Sequence, residues 1–122
     1  MNKIDWARTS EITTDDLPGV IIAYLPAHNA RDLDTAIAQF TPDAMVTDEG
    51  KDHPGIEAIR AWLGRAGSQY TYTTALLGAY RVDDSHYDVV HRLEGDFPGG
   101  VADLHFRFSL RDGLIEQLVI EP

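Results

Sequence analysis

Three side chains combine reactive chemistry with a placement that could use it. His91 lies in the run HYDVVHRLEG, where Tyr87, Val89, His91 and Leu93 share one face of a strand and Asp88, Arg92 and Glu94 the other. An imidazole in an inward apolar row must find a partner or line a cavity, because burial without a hydrogen bond is costly. It is a pocket acid/base, a polar anchor, or a satisfied core histidine. Asp48 closes the short apolar strand of residues 44–47. A carboxylate desolvated there can shuttle a proton at a carbon acid or orient a water, or it caps the following loop from the surface. Tyr24 falls on the inner face of a helix, where its hydroxyl either donates into a pocket or is satisfied by backbone in the core.

Other residues form the expected surroundings. Trp62, Tyr72, Phe97, Phe106 and Phe108 read as wall and core residues shaping an apolar site. His53, in the turn-rich string EGKDHPG, either roofs the pocket or is simply exposed. The last strand puts Leu114, Glu116, Leu118 and Ile120 on one face and Ile115, Gln117 and Val119 on the other. If the first set faces inward, Glu116 and Leu118 join the pocket and Glu116 can pair with His91. Otherwise Glu116 is solvated or part of a dimer contact. The histidines His28, His53, His86, His91 and His105 show no zinc-type spacing. No glycine-rich phosphate loop follows a strand, and no G-x-S-x-G elbow is present. The expected chemistry is free of metal and cofactor.

The elements that must position these groups can be read in order. Residues 1–16 form a polar N-terminal arm with Trp6 as a packing anchor, and residues 17–122 form one domain. Thr14, Asp15 and Asp16 offer helix caps and Pro18 suits a first turn. Val20, Ile21, Tyr24, Leu25 and His28 follow helical spacing, with Pro26 expected to kink the helix. A second helix opens at Asp32 or Asp34, places Leu33, Ala36, Ile37 and Phe40 on one face, and ends at Thr41-Pro42-Asp43. Residues 49–55 read as a loop, and residues 56–66 as a third helix with Ile56, Ile59, Trp62 and Leu63 inward and Gly67 as its cap. Four long strands follow, over residues 70–82, 86–95, 101–110 and 114–121. Helices on one side of an antiparallel meander make an α+β domain. A strongly bent, mainly antiparallel sheet closing over three helices makes a cone with an interior pocket.

Bulk properties narrow the partners. Twenty acidic residues against ten Lys and Arg give a formal net charge of -10. Such a surface repels phosphate backbones and anionic lipid, so neither nucleic acid nor membrane is an expected partner. No apolar run approaches the roughly 20 residues that span a bilayer. The N-terminal residues have no apolar segment of a secretory signal. With no cysteine, a cytoplasmic location is the default expectation.

Several strings carry a resemblance to a known family. Tyr24, Asn29-Ala30, Asp32-Leu33-Asp34, Phe40, Asp43-Ala44, Val46 and Asp48, then Gly55, Ala58-Ile59-Arg60 and His105-Phe106-Arg107-Phe108, resemble the ketosteroid isomerase pattern. Asp48-Glu49-Gly50, residues 55–62, Tyr70-Thr71-Tyr72-Thr73 and Phe97-Pro98-Gly99 are similar to an uncharacterised SnoaL-like subgroup. Both groups belong to the nuclear transport factor 2-like, or cystatin-like, superfamily, which includes polyketide cyclases, epoxide hydrolases, dehydratases and non-catalytic binding domains. The resemblance implies the cone-shaped fold. It puts Asp48 at the isomerase's general base and Tyr24 at the phenol that donates to an enolate oxygen. The third group of that site, a neutral aspartic acid, falls on Leu104. Asp103 is one residue off and so on the opposite face of its strand. The chain is therefore not expected to be a true ketosteroid isomerase.

Three readings follow. The first is a cofactor-independent isomerase, cyclase, dehydratase or hydrolase acting on a small apolar carbonyl-type molecule, with Asp48 as acid/base and Tyr24 and His91 as donors. The second is a non-catalytic module holding a small apolar ligand. The third is a homodimeric scaffold whose outer sheet face, with Asp103, His105 and Arg107, makes an isologous contact.

Overall fold

The computed structural model describes residues 4–65 and 72–122. In chain order the elements are β1 (Ser10–Ile12), a 3-10 turn (Thr14–Asp16), α1 (Gly19–Ala30), α2 (Leu33–Ile37), β2 (Phe40–Asp48), β3 (Lys51–Pro54), α3 (Gly55–Arg65), β4 (Tyr72–Asp83), β5 (His86–Gly95), β6 (Val101–Arg111) and β7 (Leu114–Glu121). The strands form one curved, unclosed sheet in the order β1-β4-β5-β6-β7-β2-β3. All neighbours are antiparallel except β2 and β7, which run parallel. This is an α+β cone of three helices on a mainly antiparallel sheet.

The alternation in β5 and β6 sets the core. Val89, Phe106 and Phe108 are buried inward and meet Ile21, Tyr24, Ile59, Trp62 and Leu63 from the helices. On the outer face Arg92 pairs with Asp103 at 2.8 Å. There Asp88 is also nearly buried, with His105 Nδ1 at 2.8 Å and Arg107 Nε at 3.4 Å from one carboxylate oxygen. The arm lies on this face. The Trp6 ring stands edge-on to His86 at 5.9 Å and 5.7 Å from the Arg107 guanidinium.

Several boundaries depart from the sequence expectation. The N-terminal arm contributes a strand, β1, paired with β4. The expected caps form the 3-10 turn instead, and Pro18 occupies the cap position of α1 with no side-chain cap bond. The helix continues through Pro26, which is exposed, and Arg31 ends it in the left-handed region. Asp32 caps α2, accepting from the Thr35 amide. That helix stops at Ile37, and Phe40 begins β2, opposite Ile115. Phe40 has helical spacing from Ile37, but its pairing to β7 wins. Thr41-Pro42-Asp43 then lies inside β2, within the register irregularity between Phe40 and Met45, where proline's missing donor costs no ladder bond. The expected loop at 49–55 is a two-residue hairpin: Glu49 and Gly50 both have positive φ, which matches the twist of the flanking strands β2 and β3. Asp112-Gly113 turns β6 into β7 in the same way. The expected cap Gly67 and the start of the strand at Tyr70 lie outside the described residues.

Candidate functional site

A cavity of about 580 Å³ opens between the helices and the inner face of the sheet. Its wall comes from several elements: His28 and Asn29 from the last turn of α1, Asp48 from the end of β2, His53 from β3, Trp62 and Arg65 from α3. Tyr72 and Thr74 of β4, His91 and Leu93 of β5, Phe97 and Pro98 of the following turn, Leu104 and Phe106 of β6, and Ile120 of β7 complete the wall. The lining mixes aromatic and aliphatic side chains with polar and charged ones, Glu49 and Lys51 of the β2–β3 hairpin among them, and such a concave site with convergent polar groups suits a small molecule.

Asp48 is held by α3. The indole Nε1–H of Trp62 donates to Asp48 Oδ2 at 3.0 Å, which fixes one carboxylate oxygen. Oδ1 has no hydrogen-bond partner among the described residues. Parallel pairing of β2 with β7 and antiparallel pairing with β3 clamp the strand end on both sides, with Asp48 opposite Ile120 and Lys51.

Tyr24 does not line the cavity. It is fully buried behind the wall, edge-on to Phe40 at 5.3 Å and Phe108 at 5.9 Å. Its hydroxyl lies 2.8 Å from Nδ1 of His28, one helical turn on. Burial pushes the phenol's pKa well above its ordinary value, and the charge of Asp48 adds to the shift. His28 stands between phenol and cavity, its ring against Trp62 at 5.6 Å and Phe106 at 5.5 Å. Burial, then the neighbouring His91 and Arg31, push its pKa down to about 4.

His91 is 5% exposed, with its ring 4.6 Å from Phe106. Its Nδ1 is buried without a hydrogen bond of good geometry. Burial lowers its pKa, and the Val89 backbone opposes part of that shift. His53 lies against Trp62 at 5.9 Å.

Two further sequence candidates stand elsewhere. Glu116 ion-pairs with Arg111 at 3.4 Å, away from the cavity and from His91. The physical reason is a register shift between β6 and β7. Leu110 faces Ile115, but Ser109 faces Gln117, so Glu116 is the extra residue of a bulge. The bulge reverses the alternation, so Ile115, Leu118 and Ile120 are all buried. Leu118 is fully buried core beside Val46 and Phe108 and does not reach the cavity. Among the described residues no group of three His, Asp or Glu is placed to hold a metal ion, and no helix is long and apolar enough to cross a membrane.

The family model of the SnoaL-like domain matches residues 21–118. The chain belongs to the SnoaL-like domain family. Among solved structures, a candidate polyketide cyclase from Sinorhizobium meliloti is 34% identical, with a TM-score of 0.81 over 90% of this chain and 100% of that one. A Catenulispora acidiphila protein of ketosteroid isomerase-like fold, in complex with trimethylamine, has a TM-score of 0.72 at 18% identity, covering 86% and 85%. A Mycobacterium tuberculosis protein in complex with estradiol-17beta-hemisuccinate has a TM-score of 0.68 at 15% identity, covering 84% and 90%. No curated protein matches the chain.

Within this SnoaL-like site, Asp48, His91, Trp62, His53, Tyr72, Leu104 and Phe106 all border one cavity. His28 is among the lining side chains that the sequence pattern does not single out, with Asn29, Arg65 and Thr74. Its signal was present: Tyr24 and His28 are an i, i+4 pair on one helix face.

Proposed function

We propose that this SnoaL-like domain binds a small apolar carbonyl compound and acts on it without a cofactor, with Asp48 as the acid/base. The observation that carries the reading is the Trp62–Asp48 bond at 3.0 Å, made by two residues that line a cavity of mixed apolar and polar walls. The indole orients one oxygen and leaves the other available for substrate. In the simplest step, Asp48 takes a proton from the carbon next to the ligand carbonyl. The C–H electron pair becomes the enolate double bond, and the carbonyl π pair moves to oxygen. Return of the proton to carbon completes an exchange or an isomerisation and restores the carboxylate. His91, facing the same cavity, serves as a second polar anchor. That the Mycobacterium and Catenulispora proteins of the same fold are each found in complex with a small molecule supports small-molecule binding as this chain's use of its cavity.

A second reading rests on Leu104, which occupies the wall where a second acidic donor would strengthen an oxyanion site. It favours ligand binding without turnover. The test is hydrogen–deuterium exchange of aryl and alicyclic ketones in D₂O, followed by NMR. Wild type should exchange the α-protons above the buffer rate. Asp48→Asn should lose roughly two to four decades of that rate while raising its melting temperature with the same ketones. Binding without exchange in wild type would leave only the second reading. The polar outer sheet face, with Asp103, His105 and Arg107, suits an isologous homodimer, and we place the protein in the cytoplasm; light scattering tests the first point.

A further inference from the structure

We propose that His28, locked by Tyr24 as the neutral Nε2–H tautomer, is the group that donates a hydrogen bond to the carbonyl or enolate oxygen of the ligand. The assignment rests on the reading of the cavity as a carbonyl site, and names the donor that reading lacks.

The geometry carries it in three steps. First, the Tyr24 hydroxyl is fully buried, and its one hydrogen-bond partner among the described residues is His28 Nδ1 at 2.8 Å. Phe40 and Phe108, which enclose the ring, offer no side-chain acceptor. The phenol hydrogen must therefore point at Nδ1. If Nδ1 carried the proton instead, the phenol hydrogen would be buried without an acceptor, a penalty that biases the tautomer by roughly tenfold or more. Second, an imidazole that accepts at Nδ1 and is neutral carries its proton on Nε2. The ring stays neutral at ordinary pH because burial and the nearby His91 and Arg31 disfavour its cation. Third, His28 lines the cavity, and Nε2 has no partner among the described residues. A neutral imidazole suits this task. It donates to a developing oxyanion without surrendering a proton to it.

The arrangement also explains why Tyr24 can be buried and still serve the site. The phenol acts as a positioning residue through His28, and the cavity receives an N–H donor where a direct hydroxyl would fall short. Asp48 lies on the same cavity with a carboxylate oxygen that has no hydrogen-bond partner among the described residues, so a base and a donor face one ligand from different elements.

The test uses the full chain, ¹⁵N-labelled, with 2-acetylnaphthalene as the probe. Long-range ¹H–¹⁵N spectra at pH 7, assigned with His28→Gln, should show His28 protonated at Nε2 and bare at Nδ1. Tyr24→Phe should release that bias. Infrared spectra of the bound ketone should show its carbonyl stretch red-shifted from the value in hexane. His28→Phe should abolish the shift and weaken binding by roughly tenfold, and His28→Gln, which keeps an N–H donor, should preserve part of it. An Nδ1–H tautomer would overturn the proposal, and so would a red shift that survives His28→Phe, or failure of the ketone to bind at millimolar concentration. Asp48→Asn should leave the red shift in place. If that holds while wild type catalyses no α-proton exchange, the role given to Asp48 fails and the His28 assignment stands.

Discussion

Burying His28 as a neutral ring costs the folded state whenever the unfolded chain can hold a proton that the folded chain refuses. Its pKa falls from about 6.5 to about 4 on folding. Between those values the unfolded state binds more protons, so stability is full above pH 6.5 and declines as pH falls towards 4, by on the order of 3 kcal/mol in total. His91, lowered by burial, acts in the same direction. The carboxylates of Asp43 and Asp103, held below their usual range by hydrogen bonds from Arg111 and Arg92, contribute only at lower pH. Urea midpoints should therefore drop between pH 7 and pH 5, and His28→Phe should flatten the slope. A flat wild-type profile would mean that the ring is hydrated. At this scale the sequence made Asp48 and His91 legible, because one ends and the other breaks an apolar pattern, and Trp62, because it continues the inward face of α3. The relay from Tyr24 was not, since an i, i+4 pair on an apolar face looks like ordinary packing until one ring is seen to shield the other.

At the scale of elements, the hairpin between β2 and β3 holds the catalytic candidate in place. Thr47 Oγ1 donates to Asp52 at 2.7 Å, and Asp48 sits opposite Lys51 at the turn. Gly50 has φ 74°, in the left-handed region where a β-carbon is strained. Gly50→Ala should cost about 1 kcal/mol in urea unfolding and lower ketone affinity by loosening Asp48, although nothing lies within 4 Å of the added carbon. Stability unchanged to within error would show that the turn relaxes freely. The sequence hid this hairpin behind Lys51, Asp52 and Pro54, residues with weak strand preference. Helix α3 and strands β5 and β6 were legible because their periodicity is nearly unbroken. The bulge at Glu116 was not, because it depends on how β7 registers against β6, and no pattern within β7 alone records it.

For the molecule as a whole, charge is the dominant surface property. A formal net charge of -10 on 122 residues sets acids against one another over most of the surface. The ion pairs Arg92–Asp103, Arg107–Glu121 and Arg111–Asp43 use several of the few cations. Self-repulsion should exceed what such exposed pairs contribute. The melting temperature should consequently rise between ~10 mM and ~200 mM sodium chloride as the screening length shortens. A fall instead would mean that the cross-strand pairs outweigh the repulsion. The architecture itself was legible in outline from element order, since helices followed by long alternating strands leave few ways to cover one sheet face.

The parallel pairing of β2 with β7 has a consequence for how the chain reaches this shape. Val46 meets His53 on one side, a neighbour in sequence, and Leu118 on the other. The first contact closes a tight loop quickly, whereas the second must bring distant parts of the chain together and bears the larger entropy of closure. The hairpin carrying Asp48 can thus form early with the β7-facing edge of β2 unpaired, and the cavity wall, which includes Ile120, is complete only when β7 docks. Until then that unpaired edge is open to pairing with another chain, and slow docking of β7 lengthens its exposure.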